Sequence, residues 1–189
     1  MKKFLILLGI VVSGCLVAGL YGILHDQLTY TISPEYYTKF KFYQFGLMDE
    51  GSEAIFGFPR LQVSIVGFMA TWWMGIPIAI VLGLFSLHSD RKLMIEIAMK
   101  AFIVTMIIAF LGGLYGLYEG FTYISALPKE KLPRWFIPDN LVDFRSFIAV
   151  GSMHNASYMG GFFGLFGGIA YIGWRKGRLK LKQKKSVRV

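Results

Sequence analysis

Four long apolar stretches restrict this chain more than anything else in it. Phe4–Leu24 and Leu61–Leu87 contain no Asp, Glu, Lys, Arg or His, Ala101–Leu127 contains one charge, Glu119, and Phe147–Trp174 contains no charge and one histidine, His154. A helix crosses about 30 Å of hydrocarbon with roughly 20 residues, and each stretch is at least that long. None alternates with period 2, and a helix closes its own backbone hydrogen bonds in lipid. The stretches therefore predict membrane-spanning helices. Composition removes the alternatives. Of the 189 residues 55% are hydrophobic and 16% charged, against about 25% charged in a soluble domain. A soluble fold of this size would leave apolar surface in water. Disordered chains are poor in aromatics, and this one has 17 Phe. A single Cys excludes a disulfide scaffold.

Lys and Arg placement sets orientation. Lys2 and Lys3 precede the first stretch, Arg91, Lys92 and Lys100 lie between the second and third, and the tail 175–189 is strongly basic from Arg175 to Arg188. Fewer basic residues, among them Lys39, Lys41, Arg60, Lys129 and Arg145, fall in the other two connections. Both termini are thus expected in the cytoplasm, with the loops at about 25–60 and 128–146 outside. The net charge of +9 resides mostly in the tail, whose expected partner is anionic lipid. Nucleic acid is not an expected partner, since no recognition motif is present. A membrane-protein partner or a second copy of the chain is compatible with the sequence. Lys2-Lys3 followed by an apolar run and Val12-Ser13-Gly14-Cys15 also resembles a lipoprotein signal. The apolar run continues past Cys15 to Leu24, which favours an uncleaved span.

The chain reads as one membrane domain that repeats itself, with repeat 1 at about 1–92 and repeat 2 at about 93–178. Gly19-Leu20-Tyr21-Gly22 recurs as Gly113-Leu114-Tyr115-Gly116, Thr29-Tyr30 as Thr122-Tyr123, Val66-Gly67 as Val150-Gly151, and Met74-Gly75 as Met159-Gly160. Gly75, Ala79 and Gly83 keep step with Gly160, Gly164 and Gly168. Each repeat is span, outer loop, span, so the two hairpins run parallel. Small residues four apart give each helix one smooth face for close packing. The expected fold is an all-α transmembrane four-helix bundle, built from two tandem parallel-repeat hairpins with two ordered outer loops. Pro77 should kink the second span. In the first loop Lys39-Phe40-Lys41-Phe42 alternates polar and apolar, which predicts a short surface strand. In the second, Asp139 or Asn140 is the expected N-cap of the last helix.

His25-Asp26-Gln27 through Ile32-Ser33-Pro34-Glu35-Tyr36, Thr71-Trp72-Trp73, and His154-Asn155-Ala156-Ser157-Tyr158-Met159-Gly160-Gly161 together resemble a family of uncharacterised bacterial membrane proteins. The resemblance spans most of the chain. It implies a bacterial cytoplasmic (inner) membrane and implies no chemistry.

Ionisable groups at membrane depth are costly and need a partner or a purpose. His88 closes the second span on the cytoplasmic side and reads as a solvated helix end. His25 and Asp26 end the first span, Glu119 ends the third, and His154 lies about 10 Å inside the fourth. Laying Gly19 on Gly113 places His25 on Glu119. The site expectation is that His25, Asp26, Glu119 and His154 converge beneath the outer loops, with His154 turned towards Tyr115 and Tyr118. Imidazoles with carboxylates suit a divalent transition metal such as Zn, Mn or Fe(II). The same groups suit proton exchange, and they also suit a buried hydrogen-bond network that fixes helix register. His154 and Ser157 share a helix face, but no nucleophile elbow accompanies them and no HExxH motif is present, so no catalytic residue is assigned. The functional expectation is a small accessory or binding protein with a polar, metal-compatible site near its outer face. The alternative is a small transporter or channel protomer for ions or protons.

Overall fold

The structure, a computed structural model, describes residues 2–87 and 90–186. The expected helix end at His88 and the end of the tail at Arg188 lie outside the described residues. Among the described residues the fold is all-helical, with no strand. Helix α1 is Lys2–Ile32, and a strap of short helical turns follows over 34–44. Helices α2 (Pro59–Thr71) and α3 (Gly75–Ser86) form one rod broken by a 3-10 turn at Trp72–Met74. Helix α4 is Arg91–Thr122 and α5 is Phe144–Ser186. Pro77 explains the break, because it has no N–H for the Trp73 carbonyl one turn earlier.

Three stretches of the described residues are long and apolar enough to cross a membrane: Lys3–Ile32, Pro59–Ser86 and Arg91–Ala126. The expected fourth span lies on α5, which is not one of the three. Glycines, Ser152, His154, Asn155 and Ser157 dilute its hydropathy. Its outward face is nonetheless apolar, since Phe162, Phe163 and Phe166 are exposed. Helix α1 likewise exposes Leu5, Leu8, Val12, Leu16, Leu20 and Leu24, a continuous stripe at helical spacing. Such a stripe in water would be a large apolar patch.

Helix α1 packs against α2 and α3, and α4 packs against α5. Both contacts depend on missing side chains. A Cβ on Gly22 would strike Gly67 and Thr71, and one on Gly116 would strike Ser152 and Ala156. A Cβ on Gly75 would meet Gly14 and Cys15, and one on Gly160 would meet Ile108 and Ala109. Gly83 meets Leu7 as Gly168 meets Ala101. These are the same positions when Gly19–Gly22 is laid on Gly113–Gly116 and Met74-Gly75 on Met159-Gly160. The packing differs from the sequence match at one point: Ser152, not Gly151, takes the place of Gly67. Threonine hydroxyls tie each pair. Thr71 donates to the Ala18 carbonyl at 2.8 Å, and Thr105 to the Gly164 carbonyl at 3.1 Å. The four rods come together at one end around Ile10, Leu82, Phe102 and Ile172. At the other end the strap and the second loop share a core of Tyr37, Phe42, Leu132 and Phe147.

Two local expectations are corrected. Residues 39–42 are helical, the strap making a π-helical turn over Tyr37–Lys41. Among the described residues no strand offers a ladder, and both lysines turn inward to ionic partners, Lys39 to the half-buried Glu35 and Lys41 to the buried Asp26. The cap of α5 is Asp143, not Asp139 or Asn140, with its Oδ1 accepting from Ser146 N at 3.0 Å.

Glu35 fastens the two loops together. It pairs with Lys39 and accepts from the backbone N–H groups of Val142 at 3.1 Å and Asp143 at 2.7 Å. Burial works to raise its carboxyl, but Lys39 and the two N–H groups outweigh burial and hold it below the ordinary value. A depressed carboxylate contributes stability above its unfolded pKa and loses it as pH falls through the folded one. The melting temperature should therefore fall on acidification past the ordinary glutamate range, about pH 4. Glu35→Gln should flatten part of that fall, and an unchanged pH profile in the variant would dismiss the clasp.

Candidate functional site

Where the strap meets the rods, four ionisable side chains are buried together: His25, Asp26, Lys41 and His154, each no more than 5% exposed. Helix α1 runs past the end of its charge-free stretch at Leu24, so its last turns carry His25 and Asp26 into the interior. The strap folds back to bring Lys41 over them. Its Nζ lies 3.1 Å from Asp26 Oδ2 and 3.4 Å from Oδ1. Burial pushes the Lys41 ammonium down from its ordinary range, and Asp26 opposes the shift.

His154 enters from α5. Its ring stacks on Tyr36 at 4.9 Å between centroids and meets the His25 ring edge-on at 4.7 Å. Burial raises the Tyr36 and Tyr37 hydroxyls, so both remain phenols. Tyr37 Oη shares a hydrogen bond with Thr29 Oγ1 at 2.6 Å. His154 Nδ1 lies 2.9 Å from the Val150 carbonyl, which can only accept. Nδ1 therefore carries a hydrogen. Nε2 then faces Asp26 Oδ1 at 3.2 Å. In a neutral ring that would be a lone pair against a carboxylate oxygen. A proton on Nε2, or a cation shared by the two atoms, resolves the contact.

His25 is held at both nitrogens, with Nε2 3.0 Å from Ser157 Oγ and Nδ1 3.4 Å from Asp26 Oδ1. Ser157 can stand there because α4 has Gly113 opposite, where any Cβ would strike its hydroxyl. One ligand atom each from His25, Asp26 and His154 lies within 4.8 Å of the others, so these three could hold a metal ion. Beside them is a cavity of ≈ 50 Å³, whose lining includes Tyr21, His25, Asp26, Lys41 and His154. Thr71, Met74 and Ile78, around the break in the second rod, also line it. A water needs about 10–15 Å³ measured this way, whereas organic ligands occupy about 300–1,000 Å³. The cavity accommodates a few waters, an ion or one small functional group.

Of the four expected site residues the structure unites His25, Asp26 and His154 and leaves Glu119 out. Glu119 is half-buried on α4 and accepts from Tyr115 Oη at 2.9 Å. Gly116 and Gly120 form the face of α4 that meets α5, and Glu119 stands at its edge, beside Ser152, Asn155 and Met159 and outside the cluster. Tyr115 and Tyr118 are exposed rather than facing His154; Tyr36 and Tyr37 take that place. Sequence reasoning missed Lys41. The available signal was a lysine set between Phe40 and Phe42 close after an acidic residue in a span. Comparison of the chain with protein-family models, curated proteins and solved structures finds no match.

Proposed function

We propose that this chain is an integral protein of a bacterial cytoplasmic membrane that binds a divalent transition metal near its outer face. In this reading four helices cross the bilayer as two parallel-repeat hairpins. The termini and the connection between α3 and α4 lie in the cytoplasm. Three features support it: the matched glycine contacts of the two helix pairs, the outward apolar stripes of α1 and α5, and the Lys and Arg distribution.

One observation carries the metal. His154 donates Nδ1–H to a backbone carbonyl and turns Nε2 towards Asp26 Oδ1 at 3.2 Å. Metal-ligating histidines characteristically donate their other ring N–H to a carbonyl or carboxylate. Ligands bound at about 2.0–2.2 Å stand roughly 3 Å apart around one ion. His25 supplies a third donor, and the cavity leaves room for water as a further ligand. Two imidazoles and a carboxylate suit Zn, Mn or Fe(II). Lys41 sets the selectivity for charge, because an ion must displace its ammonium from Asp26.

Protein purified without chelator should carry a stoichiometric transition metal by elemental analysis, and His154→Ala should lose it. Glu119→Gln should retain it. Folded protein that takes up neither Zn²⁺ nor Mn²⁺ on titration would leave the cluster as a structural network.

A further inference from the structure

We infer that the groove between α1 and α4 binds a free long-chain fatty acid, its alkyl chain lying along the groove and its carboxylate reaching Tyr21. The inference rests on the membrane placement proposed above and does not require the metal. Helices α1 and α4 touch near Gly14, where a Cβ would lie 3.1 Å from the Phe102 ring. On the strap side of that contact they leave a groove of ≈ 610 Å³, larger than the one of ≈ 360 Å³ on its other side. Val17, Leu20 and Leu24 form one wall, and Ile103, Ile107 and Phe110 the other. From Val17 to Leu28 it runs roughly 16 Å at 1.5 Å per residue, which seats most of an extended acyl chain.

Only Tyr21 and His25 are polar in this lining. With Met106 they also line the cavity of the ionic cluster, so the groove and the cavity adjoin. Tyr21 Oη is buried at that junction and makes no well-formed hydrogen bond, its contact with the Ser157 hydroxyl being a loose one. A buried, unsatisfied hydroxyl is a standing cost that an incoming acceptor removes.

Three properties choose the occupant. Orientation is the first. The charge-free run of α1 ends at Leu24, so Tyr21 and His25 stand near the edge of the hydrocarbon and Val17 stands deeper. A guest with its polar end at Tyr21 and its chain towards Val17 lies parallel to the lipids of that leaflet. Size is the second. A cavity of ≈ 50 Å³ admits a carboxylate but neither a phosphoglycerol head group nor a quinone ring. Charge is the third. The Lys41 ammonium lines the cavity beside Asp26, so a carboxylate there can share it, whereas a fatty alcohol gains a hydrogen bond alone.

The full-length protein, delipidated in a neutral detergent, should bind labelled oleate stoichiometrically. Oleyl alcohol and oleoyl-lysophosphatidylcholine should bind at least about tenfold more weakly, the loss expected on giving up a hydrogen bond to a charged group. Tyr21→Phe should weaken oleate by a similar factor. Ile107→Trp fills the groove from a half-exposed position and should abolish oleate binding while Zn²⁺ uptake persists. Leu20→Trp, from the opposite wall, should do the same if the first variant does not fold. Equal binding of the alcohol or the lysolipid would reduce the groove to an ordinary lipid crevice and overturn the inference. So would undiminished oleate binding in both tryptophan variants. Loss of Zn²⁺ binding with oleate retained counts against the metal alone.

Discussion

Asp26→Asn should lower the stability of the detergent-solubilised protein by about 3–5 kcal/mol, the usual cost of removing one member of a buried ion pair. The amide preserves shape, removes the charge and turns one acceptor oxygen into a donor NH2. It leaves the Lys41 ammonium 3% exposed with its carboxylate partner gone. Lys41→Met strands Asp26 instead and should cost a comparable amount. The double variant strands neither, and replacing a buried pair by neutral groups is often close to neutral. Denaturation of all four proteins closes the cycle, and a large coupling energy is the expected result. Additive losses would mean that the two groups do not depend on one another.

Gly75→Leu and Gly160→Leu should each destabilise by about 1–3 kcal/mol or more, because overpacking forces neighbours to move. The neighbours here are backbone and cannot swing away. A Cβ at Gly75 would lie 2.5 Å from the Gly14 carbonyl oxygen and 2.8 Å from Cys15 Cα. At Gly160 it would lie 2.9 Å from Ala109 Cα. Gly173 has nothing within 4 Å, so Gly173→Leu serves as a control that should be nearly silent. Matched losses in melting temperature at Gly75 and Gly160 are expected if the two hairpins are equivalent. A silent Gly160→Leu would separate them.

What could be read in the sequence followed from strong local physics. The lengths of the apolar runs located the rods, and glycines four apart located their contacts. Charged groups beside apolar runs exposed His25, Asp26 and His154, since such groups are too costly to stand there idle. What could not be read depended on long-range geometry. The alternation at residues 39–42 suits a strand as well as a strap whose lysines reach inward, and only the position of Asp26 decides between them. Glu119 was drawn into the site by its match to His25. The cluster forms between α1 and α5, however, and the rotation of about 100° that separates Glu119 from Gly120 on the helix turns it away. The fourth apolar run was legible as a helix, yet the polar residues it carries dilute the hydropathy that would mark it as a span.

The ion pair of the strap has a consequence for how the site is distributed along the chain. Asp26 and Lys41 are 15 residues apart in the chain, whereas His154 lies 128 residues beyond Asp26. The counter-ion of Asp26 is therefore encoded locally, within the first third of the chain, whereas its histidine partner on α5 is not. A fragment ending before α4 would carry the carboxylate and its ammonium together, and only the imidazole of His154 has to come from the second half.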